Sequence, residues 1–122
     1  GGGSWLHGVV AINKKNDDDG LKAIEAAFEG HASMKHVWVV DSDIDVTNSE
    51  SVEWAMATRF QGDSGLVVKT GVKGSSLDPS SNPETRETVK VGFDCTIPLD
   101  RDKKDFIKPE PAMKVKLEDY LD

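Results

Sequence analysis

The chain has one cysteine, Cys95, so no internal disulfide can form and nothing in its thiol content points to an oxidising compartment. A single thiol also cannot supply the ligand spacing of a zinc site, and Cys95 reads as a small buried hydrophobe rather than a nucleophile. Long apolar runs are missing: none approaches the ~20 residues needed to cross a bilayer, and no signal-peptide pattern is visible. Basic residues are scarce relative to acidic ones, 15 Lys and Arg against 22 Asp and Glu, giving a net charge of −7 with no basic cluster. Nucleic-acid affinity rests on Lys and Arg displacing counterions from phosphates, which excludes DNA, RNA and anionic membrane surfaces as partners. A soluble cytoplasmic protein is expected.

What is present suffices for one ordinary core, since 122 residues with 37% hydrophobic content match a single domain. The start, Gly1-Gly2-Gly3-Ser4-Trp5 without an initiator Met, reads as a cut inside a longer protein. The organising stretch is His36-Val37-Trp38-Val39-Val40 followed by Asp41-Ser42-Asp43-Ile44-Asp45-Val46-Thr47. Val37 to Val40 is wholly apolar and rich in β-branched residues, which predicts a central parallel strand covered on both faces. Three carboxylates then stand at alternate positions, Asp41, Asp43 and Asp45, at the carboxyl end of that strand, where open α/β sheets place their ligand crevices. Thr47 with Glu50 predicts a capping box opening a helix at about Asn48. That helix runs to Phe60 with Val52, Ala55, Met56 and Phe60 in one stripe; Trp54 lies off the stripe's centre and is expected to pack against a neighbouring segment or against a missing part of the protein.

Before this stretch, Leu6 to Asn13 predicts a first strand, and Asp17-Asp18-Asp19-Gly20 predicts the acidic start of a helix whose apolar face is Leu21, Ile24, Ala27 and Phe28. Gly30 sits where a left-handed terminating residue is expected. His7, His31 and His36 read as lone histidines at element ends, surface or hydrogen-bonded residues rather than ligands. After it, Leu66 to Lys69 predicts a third strand, and the alternation of strands and helices favours a parallel sheet. Gly71 to Glu87 is rich in Gly, Ser, Pro and charge, a long loop that is either functional or mobile. Val89 to Thr96 alternates Val91, Phe93 and Cys95 against Lys90, Gly92 and Asp94, which predicts a half-buried strand near a sheet edge that Pro98 stops. The expected fold is therefore α/β: an open, mostly parallel sheet of about four strands with helices on its faces, over residues 1–100. A charged tail, 101–122, adds a C-terminal helix over about 112–121 with Met113, Leu117, Tyr120 and Leu121 as its stripe and Val115 outside it.

Candidate motifs are weak. Asp41-x-Asp43-x-Asp45 resembles the opening of a calcium loop, but the sixth place, which needs Gly, is Val46, and the twelfth, which needs an acid, is Val52. Gly71-x-x-Gly74-Ser75-Ser76 could cradle a phosphate on backbone N–H groups, yet it lacks the Lys-Ser/Thr ending of a P-loop and the third glycine of a dinucleotide fold. Asp63-Ser64-Gly65 is not a serine-protease loop, because the second glycine is absent and the α/β alternation is wrong for two barrels. No Ser-His-Asp or Cys-His set can be assigned.

Motifs in series carry more. His36-Val37-Trp38-Val39-Val40-Asp41-x-Asp43-Ile44-Asp45-Val46-Thr47, then Val52-Glu53-Trp54-Ala55-Met56-Ala57-Thr58-Arg59, Gly74-Ser75-Ser76-Leu77-Asp78-Pro79-Ser80 and Lys90-Val91-Gly92-Phe93-Asp94-Cys95-Thr96 together resemble the C-terminal region of UbiD-type decarboxylases, over about Trp5 to Leu99. The resemblance implies a large enzyme that reversibly decarboxylates an unsaturated or aromatic acid with prenylated FMN, a divalent metal (Mn or Mg) and K. It implies that the flavin and a Glu-Arg-Glu catalytic set belong to a preceding N-terminal flavin-binding domain, so that no cofactor, metal or catalytic residue is expected in these residues and they are inactive alone. By the same likeness this domain closes the substrate crevice and takes part in homo-oligomer association, and the loop Ser75, Ser76, Leu77 faces the substrate, a small carboxylic acid. The rival expectation is a self-sufficient α/β binding or assembly module whose acidic turn holds a cation.

Overall fold

The computed structural model describes residues 7–107. The predicted C-terminal helix with Met113, Leu117, Tyr120 and Leu121 lies outside them, as does Trp5. Four strands, β1 (His7–Ile12), β2 (His36–Asp41), β3 (Leu66–Lys73) and β4 (Glu87–Cys95), form one sheet in the order β1-β2-β4-β3. β1 and β4 both pair with β2 in parallel, so β2 is central as its apolar run demands, with Val37, Val39 and Val40 fully buried. Side chains alternate across a strand, and the two helices divide the faces accordingly. α1 (Asp19–Gly30) lays Ile24, Ala27 and Phe28 against Val37 and Val39, while α2 (Ser49–Arg59) lays Ala55, Val52 and Met56 against Val40, Trp38 and Cys95.

One strand departs from the expected arrangement. β4 lies next to the sheet edge, as expected, while β3 is the edge strand itself and runs antiparallel to β4. The cause is where α2 ends. Its last residue, Arg59, sits over Asp41 and Asp43 at the carboxyl end of β2. The link that follows is closed by Gly65 N–H donating to the Gln61 carbonyl, and Asp94 N–H donates to the Gly65 carbonyl. The chain thus enters β3 beside the end of β4 and can only run back down the sheet. At the edge, Leu66 and Val68 stay exposed despite their apolar character. β3 also runs further than expected, through a bulge between Lys69 and Val72 at which Gly71 takes φ +62, a left-handed conformation that a side chain would strain. The loop is accordingly shorter, residues 74–86.

Helix ends are also made differently from the prediction. Asn48, not Thr47, caps α2, its side-chain oxygen accepting from Ser51 N–H at 3.2 Å, while Thr47 donates through both N–H and Oγ1 to Asp45 Oδ1. At α1 the three acids do three separate things. Asp17 accepts from Leu99 N–H, Asp18 pairs with Lys22, and Asp19 reaches back to the N–H groups of Lys15 and Asn16. No acid side chain among the described residues caps the helix, although Asp19 in its first turn still meets the positive end. Gly30 is the last helical residue and has no positive φ; His31 closes the turn through its N–H to the Ala27 carbonyl. Of the two alternatives for Trp54, the structure shows a neighbouring segment: its indole N–H donates at 3.0 Å to the Phe106 carbonyl in a 3-10 turn, Lys103–Phe106.

Candidate functional site

The acidic turn and the Ser75 to Leu77 loop lie at opposite ends of the sheet. At the carboxyl end, Arg59 occupies the turn: its guanidinium donates to Asp41 Oδ2 at 3.1 Å, to both carboxylate oxygens of Asp43 at 2.9 and 3.0 Å, and to the Phe106 carbonyl at 3.1 Å. Asp45 is spent on Thr47. Asp41 also accepts from Ile97 N–H at 2.9 Å, tying the exit of β4 to the exit of β2. The carboxylates that could have gathered a hard cation are thus neutralised by an internal cation. Among the described residues no group of three or more His, Cys, Asp or Glu side chains converges. Sequence reasoning placed Arg59 in the organising stretch but missed its role. Eighteen residues separate it from Asp41, and only the path of the loop through Ile44 and Val46 brings it back. A cleft of about 270 Å³ beside it is lined by Ile12, Asn13, Asp41, Pro98, Lys103 and Ile107 among others.

At the amino end of β2 and β4 the 74–86 loop hangs from one buried acid. Asp78 is 3% exposed. Its Oδ2 lies 2.9 Å from Lys35 Nζ and accepts from Thr88 Oγ1, while Oδ1 accepts from the N–H and hydroxyl of Ser80. Ser80 and Lys35 hold the Asp78 carboxyl well below the usual carboxylate range. Ser75 Oγ accepts from Leu77 N–H, and the Ser75 carbonyl accepts from Asp78 N–H. This rigid base leaves Leu77 projecting, 52% exposed. Serine, glycine and proline around Asp78 made the segment look solvated, and no pattern in the sequence marks the acid as buried.

The same loop tests the phosphate-cradle idea. Gly74 N–H donates to the Arg86 carbonyl at 2.7 Å, and a Cβ on Gly74 would meet Thr88 Cγ2 at 2.6 Å. The glycine serves close packing against β4, and its amide is already used, so this turn does not fit a flavin phosphate. Cys95 is fully buried, and burial first, then Asp94 and Asp41, pushes its thiol up to about 12, which suits a core residue and not a nucleophile.

Near the loop, His7 and His36 begin β1 and β2 at the same register position and are hydrogen-bonded to each other. Their rings stack with centroids 4.8 Å apart. Burial, then the neighbouring His7 and Lys35, lowers the His36 pKa. Beside them an apolar groove of about 560 Å³ runs along the α2 face of the sheet between His7, Val9, Trp38, Val46, Val52 and Met56.

These shifts fix the sign of the acid response. A histidine held neutral in the fold loses stability as pH falls below its unfolded value, 6.5, and the loss is complete below its lowered folded value. Carboxylates with depressed values, Asp78 and Asp43 (the latter through its Arg59 hydrogen bonds), keep their contribution above the unfolded value of 3.8 and lose it on passing through the folded ones. Urea unfolding at a series of pH values should therefore show two separate declines, one starting below 6.5 and one below 3.8, and His36→Gln should remove the first alone. A single decline near neutral pH would contradict the assignment.

With this geometry in place, known proteins can be set beside it. A family model described as 3-octaprenyl-4-hydroxybenzoate carboxy-lyase C-terminal domain matches residues 1–95. Anhydromevalonate phosphate decarboxylase of Methanocaldococcus jannaschii is 51% identical over 106 residues, covering 87% of this chain and 25% of that protein. Gallate decarboxylase of Lactiplantibacillus plantarum is 34% identical over 93% of this chain and 25% of its own length. Among solved structures, the UbiD-class enzyme HmfF from Pelotomaculum thermopropionicum, in complex with FMN, superposes with a TM-score of 0.78 at 38% identity, over 94% of this chain and 26% of that one. The chain thus spans about a quarter of the length of the curated relatives it matches. With the family model covering most of its residues, the chain belongs to the UbiD family and corresponds to that family's C-terminal domain.

Proposed function

We propose that residues 1–100 are the crevice-closing C-terminal domain of a cytoplasmic, prenylated-FMN-dependent decarboxylase, with 101–122 as its charged tail, and that its substrate is anhydromevalonate phosphate. One observation carries the substrate: relatives named for that acid are 48–53% identical, against 34% and 36% for those named for gallate and phenolic acids. In this reading the flavin, a divalent Mn or Mg and K are held by a preceding flavin-binding domain. The present residues supply association between subunits and closure over the acid.

The loop geometry supports the closing role. Asp78, locked by Lys35, Ser80 and Thr88, fixes the backbone from which Leu77 projects into solvent. A projecting leucine on a rigid base can cover a reacting acid, exclude water and hold its orientation at little entropic cost. Ser75 and Ser76 stand on the approach to it.

The full-length protein carrying these residues, loaded with prenylated FMN, should release CO₂ from anhydromevalonate phosphate with at least about tenfold higher kcat/KM than from gallate, a difference of ~1.4 kcal/mol in transition-state binding. Equal rates, or a preference for gallate, overturn the substrate. The 122 residues alone should release none. In the same enzyme Leu77→Ala should lower kcat/KM by about tenfold, the scale set by removing an apolar contact from a closed site, while leaving the melting temperature in place; unchanged kinetics would remove the loop from the crevice.

A further inference from the structure

We propose that His7 and His36 form a two-imidazole site for a late first-row divalent cation of the zinc, nickel or copper kind, bridging the first residues of β1 and β2. The two residues are register partners on parallel strands, and their Nδ1 atoms lie 3.1 Å apart. A metal bound by imidazole at about 2.0–2.1 Å places two cis nitrogens about 2.9–3.4 Å apart for angles between square and tetrahedral, so a cation fits between these atoms without moving either strand. In the free chain one Nδ1–H donates to the other Nδ1. When the donor ring carries its proton on Nε2 instead, both Nδ1 lone pairs face the gap and the cation takes the place of the shared proton.

The donor chemistry decides which cation the pair would take. The nearby Lys35 charge is partly compensated, because its ammonium lies 2.9 Å from Asp78 Oδ2 and donates to Ser80 Oγ. Imidazole suits zinc, copper and nickel, whereas calcium and magnesium want oxygen ligands, and the site's own pair offers none. His7 also lines the apolar groove on the α2 face, from which water or a donor from another segment could complete the shell. The ring of Trp38 lies 5.7 Å from His7 and 6.0 Å from His36, close enough to report a bound paramagnetic ion.

The test is a titration of the intact, tag-free 122-residue chain with nickel chloride near neutral pH, followed by calorimetry and by tryptophan fluorescence, with far-UV circular dichroism confirming the fold of every variant. The expected result is saturable 1:1 binding at micromolar metal, fluorescence quenching reversed by EDTA, and affinity at least about tenfold weaker in His7→Gln and in His36→Gln. His31→Gln should bind like the parent. Absence of saturable binding at millimolar nickel leaves a histidine–histidine hydrogen bond only and overturns the site. Binding that survives both His7→Gln and His36→Gln overturns it equally, since the ion would then sit elsewhere.

Discussion

Arg59→Met should destabilise the chain by about 3 kcal/mol, lowering its melting temperature by about 10 °C, and should do so by leaving charge behind rather than by losing volume. The Arg59 side chain is 1% exposed, and its guanidinium serves two carboxylates and a main-chain carbonyl. Methionine fills most of the same space. What it cannot do is compensate Asp41, whose side chain is only 13% exposed; Asp43, at 54%, can turn to water, which places the expected cost at the lower end of the range for broken buried pairs. Arg59→Lys should recover less than half of the loss, because a single ammonium cannot reach both oxygens of Asp43, Asp41 and the Phe106 carbonyl together. Combining Arg59→Met with Asp41→Asn should restore stability beyond the sum of the two single changes. The buried Nε of Arg59, which has no hydrogen-bond partner among the described residues, sharpens the point: the residue is retained at a desolvation cost that only its other four bonds offset. A loss under about 1 kcal/mol, measured by urea unfolding at neutral pH, would mean that the turn is held by Ile44 and Val46 alone.

That cluster also shows which parts of the molecule could be read from the sequence. The β2 run and the stripes of α1 and α2 were legible because each buries a face, and a buried face imposes its period on neighbouring letters. The covering of the second face of β4 was not. Lys90, Gly92 and Asp94 look like a solvent side, yet Lys90 is buried with its ammonium on the Ala32 carbonyl and over the Phe28 ring, and Gly92 lies under Ile24. Polar and small letters stood for a covered face because their partners come from distant parts of the chain. The same reason hid Asp78, whose burial depends on Lys35, and the His7–His36 pair, which exists only through the register of two parallel strands. Family resemblance singled out the Ser75 to Leu77 loop, and the structure adds the buried Asp78 contacts to Lys35, Ser80 and Thr88 at its base. Rival cation binding by the acidic turn depended on free carboxylates, and whether they were free was decided by a residue sixteen to eighteen positions away.

The interior position of β4 has its own physical test, at Gly92. A Cβ there would stand 2.3 Å from Ile24 Cγ2 and 3.0 Å from its Cδ1, and one at Gly20 would stand 2.3 Å from the Asp94 carboxylate. Helix and strand therefore interlock: Gly20 and Ile24, one turn apart on α1, meet Asp94 and Gly92, two residues apart on β4. Ile24 is fully buried and cannot swing away. Gly92→Ala should consequently cost about 2 kcal/mol, the overpacking penalty less the roughly 0.5–1 kcal/mol that alanine gains over glycine in a strand. Ile24→Ala alone should cost about 3 kcal/mol by the cavity it leaves. Put together, the methyl introduced by Gly92→Ala would fill part of that cavity, so the double variant should be at least about 1 kcal/mol more stable than the sum predicts. Strict additivity would mean that α1 does not rest on β4 at this point. The coupling reaches the candidate site as well, because β4 anchors the loop through Thr88 on Asp78 and through the Gly74 contact. Loosening α1 over Gly92 should raise amide exchange across residues 74–86 along with β4, whereas Leu77→Ala should leave exchange there unchanged.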